Sequence, residues 1–196
     1  MAARAYTMRI RAEAVEATRQ RVLDATRDLF MERPDPDSIT LGAVAARAGT
    51  SEMTVIRHFG TKAALIEAAE ARERERIVSS RRATPGHVDE AIHFLFLHYE
   101  ETGDWGMRMQ ALEVSTPGLR GLMKRARAAH RAWVEETFAP QLSRQPASAR
   151  ELTVTALVVA CDLLTWKQLR RDLHLPIPQA EAVVRRMVTA LTSAGA

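Results

Sequence analysis

Residues 40–62, which read TLGAVAARAGTSEMTVIRHFGTK, constrain the fold more than any other stretch of the chain. Apolar residues recur there at the i, i+3, i+4 and i+7 spacing of one buried helical face, at Leu41, Val44, Ala45 and Ala48. Thr40 precedes them as a candidate N-cap. Gly49 predicts the end of this helix, because glycine adopts the left-handed backbone that a C-cap and a sharp turn require.

A second short helix is predicted directly after that turn. Thr50 and Ser51 supply a new N-cap, so the helix should begin at about Glu52. Val55 and Phe59 are four residues apart and should face inward. The outward face should then carry Glu52, Met53, Thr54, Arg57 and His58. Two short helices joined by a tight turn, the second with a polar outer face, form a helix-turn-helix suited to a DNA groove.

The pattern A-x-x-A-G-T-S-x-x-T-V-x-x-H-F-x-x-K-x-x-L, which begins at Ala45, closely resembles the DNA-binding signature of TetR-type bacterial transcriptional regulators. The resemblance covers roughly residues 15–70. It implies an all-α protein with an N-terminal three-helix DNA-binding domain and a C-terminal helical domain for ligand binding and dimerisation. The sequence departs from the family at Ile56, where an aromatic residue, often Tyr, is usual. Isoleucine cannot donate a hydrogen bond to a phosphate.

The candidate DNA contacts fall into two groups. Ser51, Glu52 and Met53 begin the second helix and are placed for base edges, where a carboxylate accepts from cytosine and a methionine meets a thymine methyl. Arg57 suits a guanine edge or a phosphate equally well. The resemblance implies phosphate contacts at four further positions, Thr40, Thr54, His58 and Lys62. Each alternatively has a plain structural role, such as a cap or a solvated side chain.

Length and charge leave the domain organisation open. A chain of 196 residues fits one domain or two small ones. The net charge is +4, but residues 1–62 hold ten Lys/Arg against eight Asp/Glu, so the excess is not concentrated near the motif. We predict a basic arm at 1–13, a DNA-binding domain at 14–62 and an effector-binding and dimerisation domain at 63–196. The arm would follow phosphates or a minor groove, or would be a solvated tail.

Several classes of protein are disfavoured. Cys161 is the single cysteine, so no intrachain disulfide can form, and no secretory signal is evident, which together predict a cytoplasmic protein. No apolar run reaches the ~18 residues of a membrane span. Neither a nucleophile elbow nor a phosphate loop occurs, so we expect no enzyme and no cofactor. Asp89 and His93 are four residues apart, but without a third ligand we expect no metal site.

The rest of the chain is predicted to be helical. Proline and glycine divide it into five elements, at about 87–101, 105–113, 119–138, 150–173 and 178–193. The last two helices carry more apolar surface than one neighbour covers. Two copies of this pair would form a four-helix bundle about a two-fold axis, the homodimer that the resemblance implies. Alternatively, one protomer satisfies both helices internally.

A dimer carries two helix-turn-helix units, so the expected target is pseudo-palindromic double-stranded DNA. The resemblance implies a repressor that a small apolar or amphipathic effector releases, with the fourth helix as the lever. Apolar and aromatic residues offer a candidate effector lining: Phe96, Tyr99, Trp105, Met109, Trp133 and Cys161. The same residues would also build an ordinary core. The alternative function is an accessory DNA-binding dimer whose second domain takes no effector.

Overall fold

The computed structural model describes residues 2–33 and 35–193, and every regular element in this part of the chain is helical. The all-α prediction is therefore confirmed. The chain folds into two compact units, Met1–Glu75 and Arg76–Ala196. The division falls inside a helix that begins at Lys62. The sequence-based boundary after residue 62 stays a prediction.

The first unit contains three helices and the start of a fourth. They are α1 (Ala2–Glu32), α2 (Leu41–Ala48), α3 (Glu52–Phe59) and α4 (Lys62–Ser80), with a 3₁₀ turn at Pro36–Ser38. Their core is formed by the predicted apolar stripe of α2 together with residues from the other helices, and it comprises Val22, Leu23, Ala25, Ile39, Val44, Ala45, Ala48, Val55 and Leu65. Each helix contributes one face to this core, so the opposite faces remain exposed to solvent.

The second unit contains the remaining helices. They are α5 (Val88–Glu113), α6 (Pro117–Thr137), α7 (Ala139–Leu142), α8 (Ala147–Ala160), α9 (Leu163–Lys167), a π-helical segment (Gln168–Asp172) and α10 (Ile177–Ser193). α5 packs on α6, α9 and α10, while α8 packs on α6 and α10. Aliphatic and aromatic side chains form the buried cluster among them, and Phe96, Phe138 and Trp166 are its largest fully buried members.

Two sequence-based helix assignments in this unit were wrong. The segments expected at about 87–101 and 105–113 form one helix, α5, which passes through Gly103 without a break. The single helix expected at 150–173 is interrupted after Ala160, because the backbone of Cys161 leaves the helix and Asp162 caps α9. The Asp162 side chain accepts a hydrogen bond from the Leu164 amide at 2.8 Å, the arrangement of an N-cap.

None of the helices in the described part of the chain is long and apolar enough to cross a membrane.

Candidate nucleic-acid interface

The first helix of the motif is held at both ends by its own sequence. The Thr40 hydroxyl accepts a hydrogen bond from the Ala43 amide at 3.1 Å, which caps the N-terminus of α2. Gly49 ends α2 with φ 64° and ψ 41°, a left-handed conformation that costs a residue with a Cβ more than it costs glycine. The Thr50 amide then donates to the Ala45 carbonyl at 3.0 Å, which closes the turn.

A second cap, at Ser51, starts α3 two residues after Gly49. The Ser51 hydroxyl accepts from the Thr54 amide at 3.2 Å and lies 2.9 Å from the Thr54 hydroxyl. Val55 is fully buried under α3. On the opposite face Met53 is 70% exposed and Ile56 is 37% exposed. Of the predicted faces, Val55 is buried and Glu52, Met53 and Arg57 are exposed, whereas Thr54, His58 and Phe59 are partly buried.

The two charged residues of the outer face have different surroundings. The Glu52 carboxylate turns toward α2, since its Oε2 lies 3.4 Å from the position that a Cβ on Gly42 would occupy. As the first residue of α3, Glu52 also lies at the positive end of the helix dipole. Arg57 is exposed, and the described part of the chain gives it neither a hydrogen bond nor an ion pair. Its guanidinium is thus the cation of α3 without an internal role.

The candidate phosphate contacts have internal roles as well. Thr40 and Thr54 belong to the two caps. The His58 ring is partly buried, with its centroid 6.2 Å from that of Phe59. Lys62 donates from Nζ to the Asp37 carbonyl at 3.0 Å, which ties the start of α4 to the 3₁₀ turn before α2. An ammonium group has three donors, so two of those on Lys62 remain for an anion.

Long-range ion pairs that the sequence did not predict fix α2 and α4 to α1. Arg47 in α2 donates to both carboxylate oxygens of Glu32 at 2.9 Å. Arg72 in α4 lies 2.9 Å from the Asp24 carboxylate and donates to the Gln20 carbonyl at 3.3 Å. These pairs join residues far apart in sequence, so no local pattern signals them. A further local cap, in which Thr61 accepts from the Ala64 amide at 3.1 Å, was identifiable from a threonine directly before a helix.

The predicted basic arm continues into α1. Residues 2–13 form the first turns of that helix. Met1, Pro34, residues 194–196 and the side chains of Arg4 and Arg9 lie outside the described part. Further along the same helix, the Arg19 guanidinium lies over the Phe59 ring at 5.5 Å from its centroid. This contact gives Arg19 a packing role beside any contact with phosphate.

The comparison with known families decides the identity of this motif. Residues 22–69, which span the second half of α1 through the middle of α4, match the family described as bacterial regulatory proteins, tetR family. This segment therefore carries the helix-turn-helix of the TetR family. The match explains why the capped turn, the buried Val55 and the exposed face of α3 occur together, since they are parts of one helix-turn-helix.

Several solved structures share the fold of this chain over nearly its whole length. A tetR-family transcriptional regulator from Streptomyces coelicolor is 22% identical with a TM-score of 0.62, covering 91% of this chain and 82% of that one. Salmonella enterica GusR is 20% identical with a TM-score of 0.65, covering 90% and 95%. A TetR-family regulator from Streptomyces coelicolor A3 is 18% identical with a TM-score of 0.53, covering 91% and 96%. No curated protein sequence matches the chain significantly.

The six candidate effector residues lie in the second unit, and three of them share its main core cluster. Phe96, Tyr99 and Cys161 are buried together, and Trp133 packs against them. Met109 is also buried but lies outside that cluster, and Trp105 is partly buried. The Tyr99 hydroxyl donates to the Cys161 carbonyl at 3.1 Å.

The Asp89 and His93 pair does not converge on a common point. Asp89 forms an ion pair with Arg185, while His93 Nδ1 lies 3.0 Å from the Glu181 carboxylate. Both interactions connect α5 to α10. Within the described residues no group of three or more His, Cys, Asp or Glu side chains is placed to hold a metal ion.

Proposed function

We propose that this TetR-family protein is a transcriptional repressor that binds a pseudo-palindromic operator as a homodimer and is released by a small-molecule effector. The observation that carries the proposal is the outer face of α3, where Met53 and Arg57 are exposed while Val55 and Phe59 pack against the core beneath the helix. An α-helix of eight residues is about 12 Å long and fits the major groove of B-DNA.

Base reading and phosphate binding are assigned to different residues. Met53 and Glu52 are placed for base edges, and Ser51 begins the same turn. Arg57 supplies the positive charge on this face, and Lys62 supplies another at the first turn of α4, where free amides also attract anions. Phosphate contacts fix the register of a protein on DNA, whereas base contacts select its sequence.

Selection of bound sequences from random duplex DNA, at one stated salt concentration, tests this proposal. We expect a palindromic consensus with two half-sites. Salt-sensitive binding without a consensus would contradict the repressor and favour an accessory DNA-binding protein. The addition of small molecules to the selected complex then tests release by an effector.

Variants separate the two kinds of contact. Glu52→Ala should change the selected bases at one position of each half-site. Arg57→Ala should weaken binding, and its log-log salt slope should fall by about 0.9 for each lost phosphate contact. Arg144→Ala is the matched control, because it removes an exposed arginine from the end of α7 in the second unit. An unchanged consensus for Glu52→Ala would exclude base reading by that residue.

The dimer is proposed to form through the outer faces of α8 and α10. These two helices pack on each other, and their outer faces expose Leu152 (75%), Val159 (60%), Val183 and Met187. Leu152 and Val159 are seven residues apart and Val183 and Met187 four, so each pair forms a stripe on its helix. Exposed apolar stripes on adjacent helices suit a second copy of the same pair.

The oligomeric state measured by light scattering after size exclusion tests this interface. Val159→Glu should convert the dimer to a monomer, because an unpaired carboxylate in an apolar interface is strongly unfavourable. The control is Val114→Glu, which introduces the same charge at a residue 84% exposed beyond the end of α5. A dimer that survives Val159→Glu would place the interface elsewhere.

A further inference from the structure

A cluster of polar and aromatic groups lies inside the second unit around the indole of Trp133. Arg81 follows α4, and its carbonyl accepts a hydrogen bond from Trp133 Nε1 at 3.1 Å. Its guanidinium lies over the Tyr99 ring, 5.0 Å from the centroid. The His130 ring stacks on Trp133 with centroids 5.9 Å apart and an interplanar angle of 16°. We call these residues and Cys161, which accepts from Tyr99 through its carbonyl, the Arg81 cluster.

The guanidinium of Arg81 has no anionic partner. Among the described residues, no carboxylate oxygen lies within 4.0 Å of an Arg81 nitrogen. Its Nε is inaccessible to solvent and has no hydrogen-bond partner there. Partly buried charges in proteins are normally paired, because removal from water disfavours the charged form.

The acidic groups near Arg81 do not supply that charge. Burial raises the pKa of the Tyr99 hydroxyl well above its ordinary value, although Arg81 opposes the shift. Burial also raises the pKa of the Cys161 thiol to about 12, so both groups are neutral at physiological pH. Asp162 influences both groups through its charge, but in the described structure neither of its oxygens lies within 4.0 Å of an Arg81 nitrogen.

His130 lacks a hydrogen-bond donor, whereas Arg81 lacks an anion. Its Nε2 lies 3.1 Å from the Val158 carbonyl, which can only accept, so Nε2 carries the proton. Burial lowers the pKa of the ring, with a smaller contribution from Arg81, so the imidazole is neutral and Nδ1 is a bare acceptor. Nδ1 is inaccessible to solvent and has no partner in the described part of the chain.

A second histidine reports the same positive surroundings. The pKa of His98 is lowered to about 3, by burial first and then by the charges of Arg81 and Arg76. Its two ring nitrogens lie 3.1 Å from the Ser80 hydroxyl and 3.2 Å from the Thr102 hydroxyl, so a neutral ring is satisfied there. The part of this shift that comes from Arg81 and Arg76 is the part that an anion in the cluster would offset.

We propose that the Arg81 cluster binds a small organic carboxylate that carries an apolar ring and a hydrogen-bond donor. The carboxylate pairs with the Arg81 guanidinium, the donor satisfies His130 Nδ1, and the ring lies against Tyr99 and Trp133. This ligand is the effector of the repressor proposed above, so its role in regulation rests on that proposal. Binding of the carboxylate to the Arg81 cluster does not depend on that proposal.

Three probes of one shape test the ligand class by calorimetry on the whole protein without DNA. They are 4-hydroxyphenylacetate, its neutral analogue 4-hydroxyphenylacetamide, and phenylacetate, which keeps the charge but lacks the donor. We expect the hydroxy acid to bind most tightly, the amide at least about tenfold more weakly, and phenylacetate to lie between them. Equal affinities would overturn the proposal, as would the absence of binding by all three.

Arg81 variants provide a readout that a structural arginine would not give. Arg81→Met keeps the aliphatic stem and breaks no ion pair, so the melting temperature of the ligand-free protein should be unchanged or higher. The preference for carboxylate over amide should disappear. Arg82→Met, at an exposed neighbour, should leave both properties unchanged. A lower melting temperature together with retained carboxylate preference would overturn the proposal.

A charge-conserving variant covers the case in which Arg81→Met does not fold. Arg81→Lys retains the cation but loses the planar Nε, so binding should weaken about tenfold while the charge preference remains.

Chloride that raised the melting temperature as much as the hydroxy acid would also overturn the proposal. Carboxylate binding without any operator would refute the repressor and leave this site standing. Operator binding without any carboxylate binding would do the reverse.

Discussion

Replacement of Gly103 by alanine should destabilise the second unit, although alanine is the better helix former. A Cβ at position 103 would lie 2.4 Å, 2.5 Å and 3.0 Å from three atoms of the six-membered ring of Trp166. Carbon atoms in contact are about 3.5–4.0 Å apart, so the indole must move by at least about 1 Å. Trp166 is 1% exposed and cannot move toward solvent.

The cost follows from what holds the indole in place. Trp166 Nε1 donates to Glu100 Oε1 at 2.9 Å, and the Arg171 guanidinium lies over the ring at 4.4 Å. Overpacking costs about 2 kcal/mol and a lost hydrogen bond to a carboxylate about 2 kcal/mol, while alanine returns about 1 kcal/mol of helix propensity. The net loss is about 3 kcal/mol. For a chain of this size it lowers the melting temperature by about 6–12 °C.

Thermal unfolding followed by circular dichroism, at one protein concentration, measures this effect. Gly121→Ala in α6 is the matched control, because its Cβ would meet only the flexible end of Arg125, at 3.3 Å. That variant should gain about 1 kcal/mol. In a Trp166→Leu background, Gly103→Ala should lose most of its cost, which a double-mutant cycle detects. Equal stabilisation by the two glycine substitutions would refute the steric argument.

Three further predictions concern the caps, the DNA contact and pH. Ser51→Ala should cost about 1 kcal/mol in urea unfolding, because the Thr54 amide loses its side-chain acceptor and keeps only the Ser51 carbonyl. Ile56→Tyr should tighten operator binding about 3- to 10-fold in fluorescence anisotropy, because the hydroxyl can reach a phosphate. Glu100→Gln should destabilise the protein at pH 7, and its stability should approach that of wild type in acid. The reason is that several interactions, of which the hydrogen bond from Arg170 is the largest, lower the pKa of Glu100 below its ordinary value of 4.5. The charged carboxylate therefore stabilises the folded protein at pH values above the ordinary pKa. This contribution disappears as the pH falls through the lowered pKa of the folded state.

Each of these three predictions has a control that tests whether the stated cause produces the effect. Ser51→Thr keeps an acceptor and should unfold close to wild type. Ile56→Phe adds the ring without the hydroxyl, so equal gains for Phe and Tyr would show that a phosphate bond is not involved. A difference between Glu100→Gln and wild type that stays constant from neutral to acid pH would show that the charge of Glu100 does not stabilise the fold.

The helix-turn-helix was predictable because its determinants are local. Thr40, Gly49 and Ser51 act on amides and carbonyls within a few residues of themselves, so a short window of sequence contains both partners of each bond. The exposed face of α3 follows from the spacing of Val55 and Phe59. The DNA contacts assigned to that face stay predictions, because their partner is another molecule.

The second unit was less predictable because distant residues determine it. The local sequence around Gly103 predicts a helix break, yet Gly103 lies inside α5. Its lack of a Cβ leaves room for the Trp166 ring. Asp162 reads as a polar residue within an apolar helix, yet it caps a new one. The Arg81 cluster brings together residues from four separate regions of the chain. No single periodic pattern contains these relationships.

The caps and the exposed residues of α3 occupy different positions, which bears on how the protein can change over generations. Ser51, Thr54 and Val55 hold the helix, while Met53 and Arg57 contribute neither a cap nor a buried contact. Substitutions at the second pair should therefore leave the fold intact. A duplicated copy of this gene could acquire a new operator through those positions alone, and a laboratory library confined to them should contain mostly folded proteins.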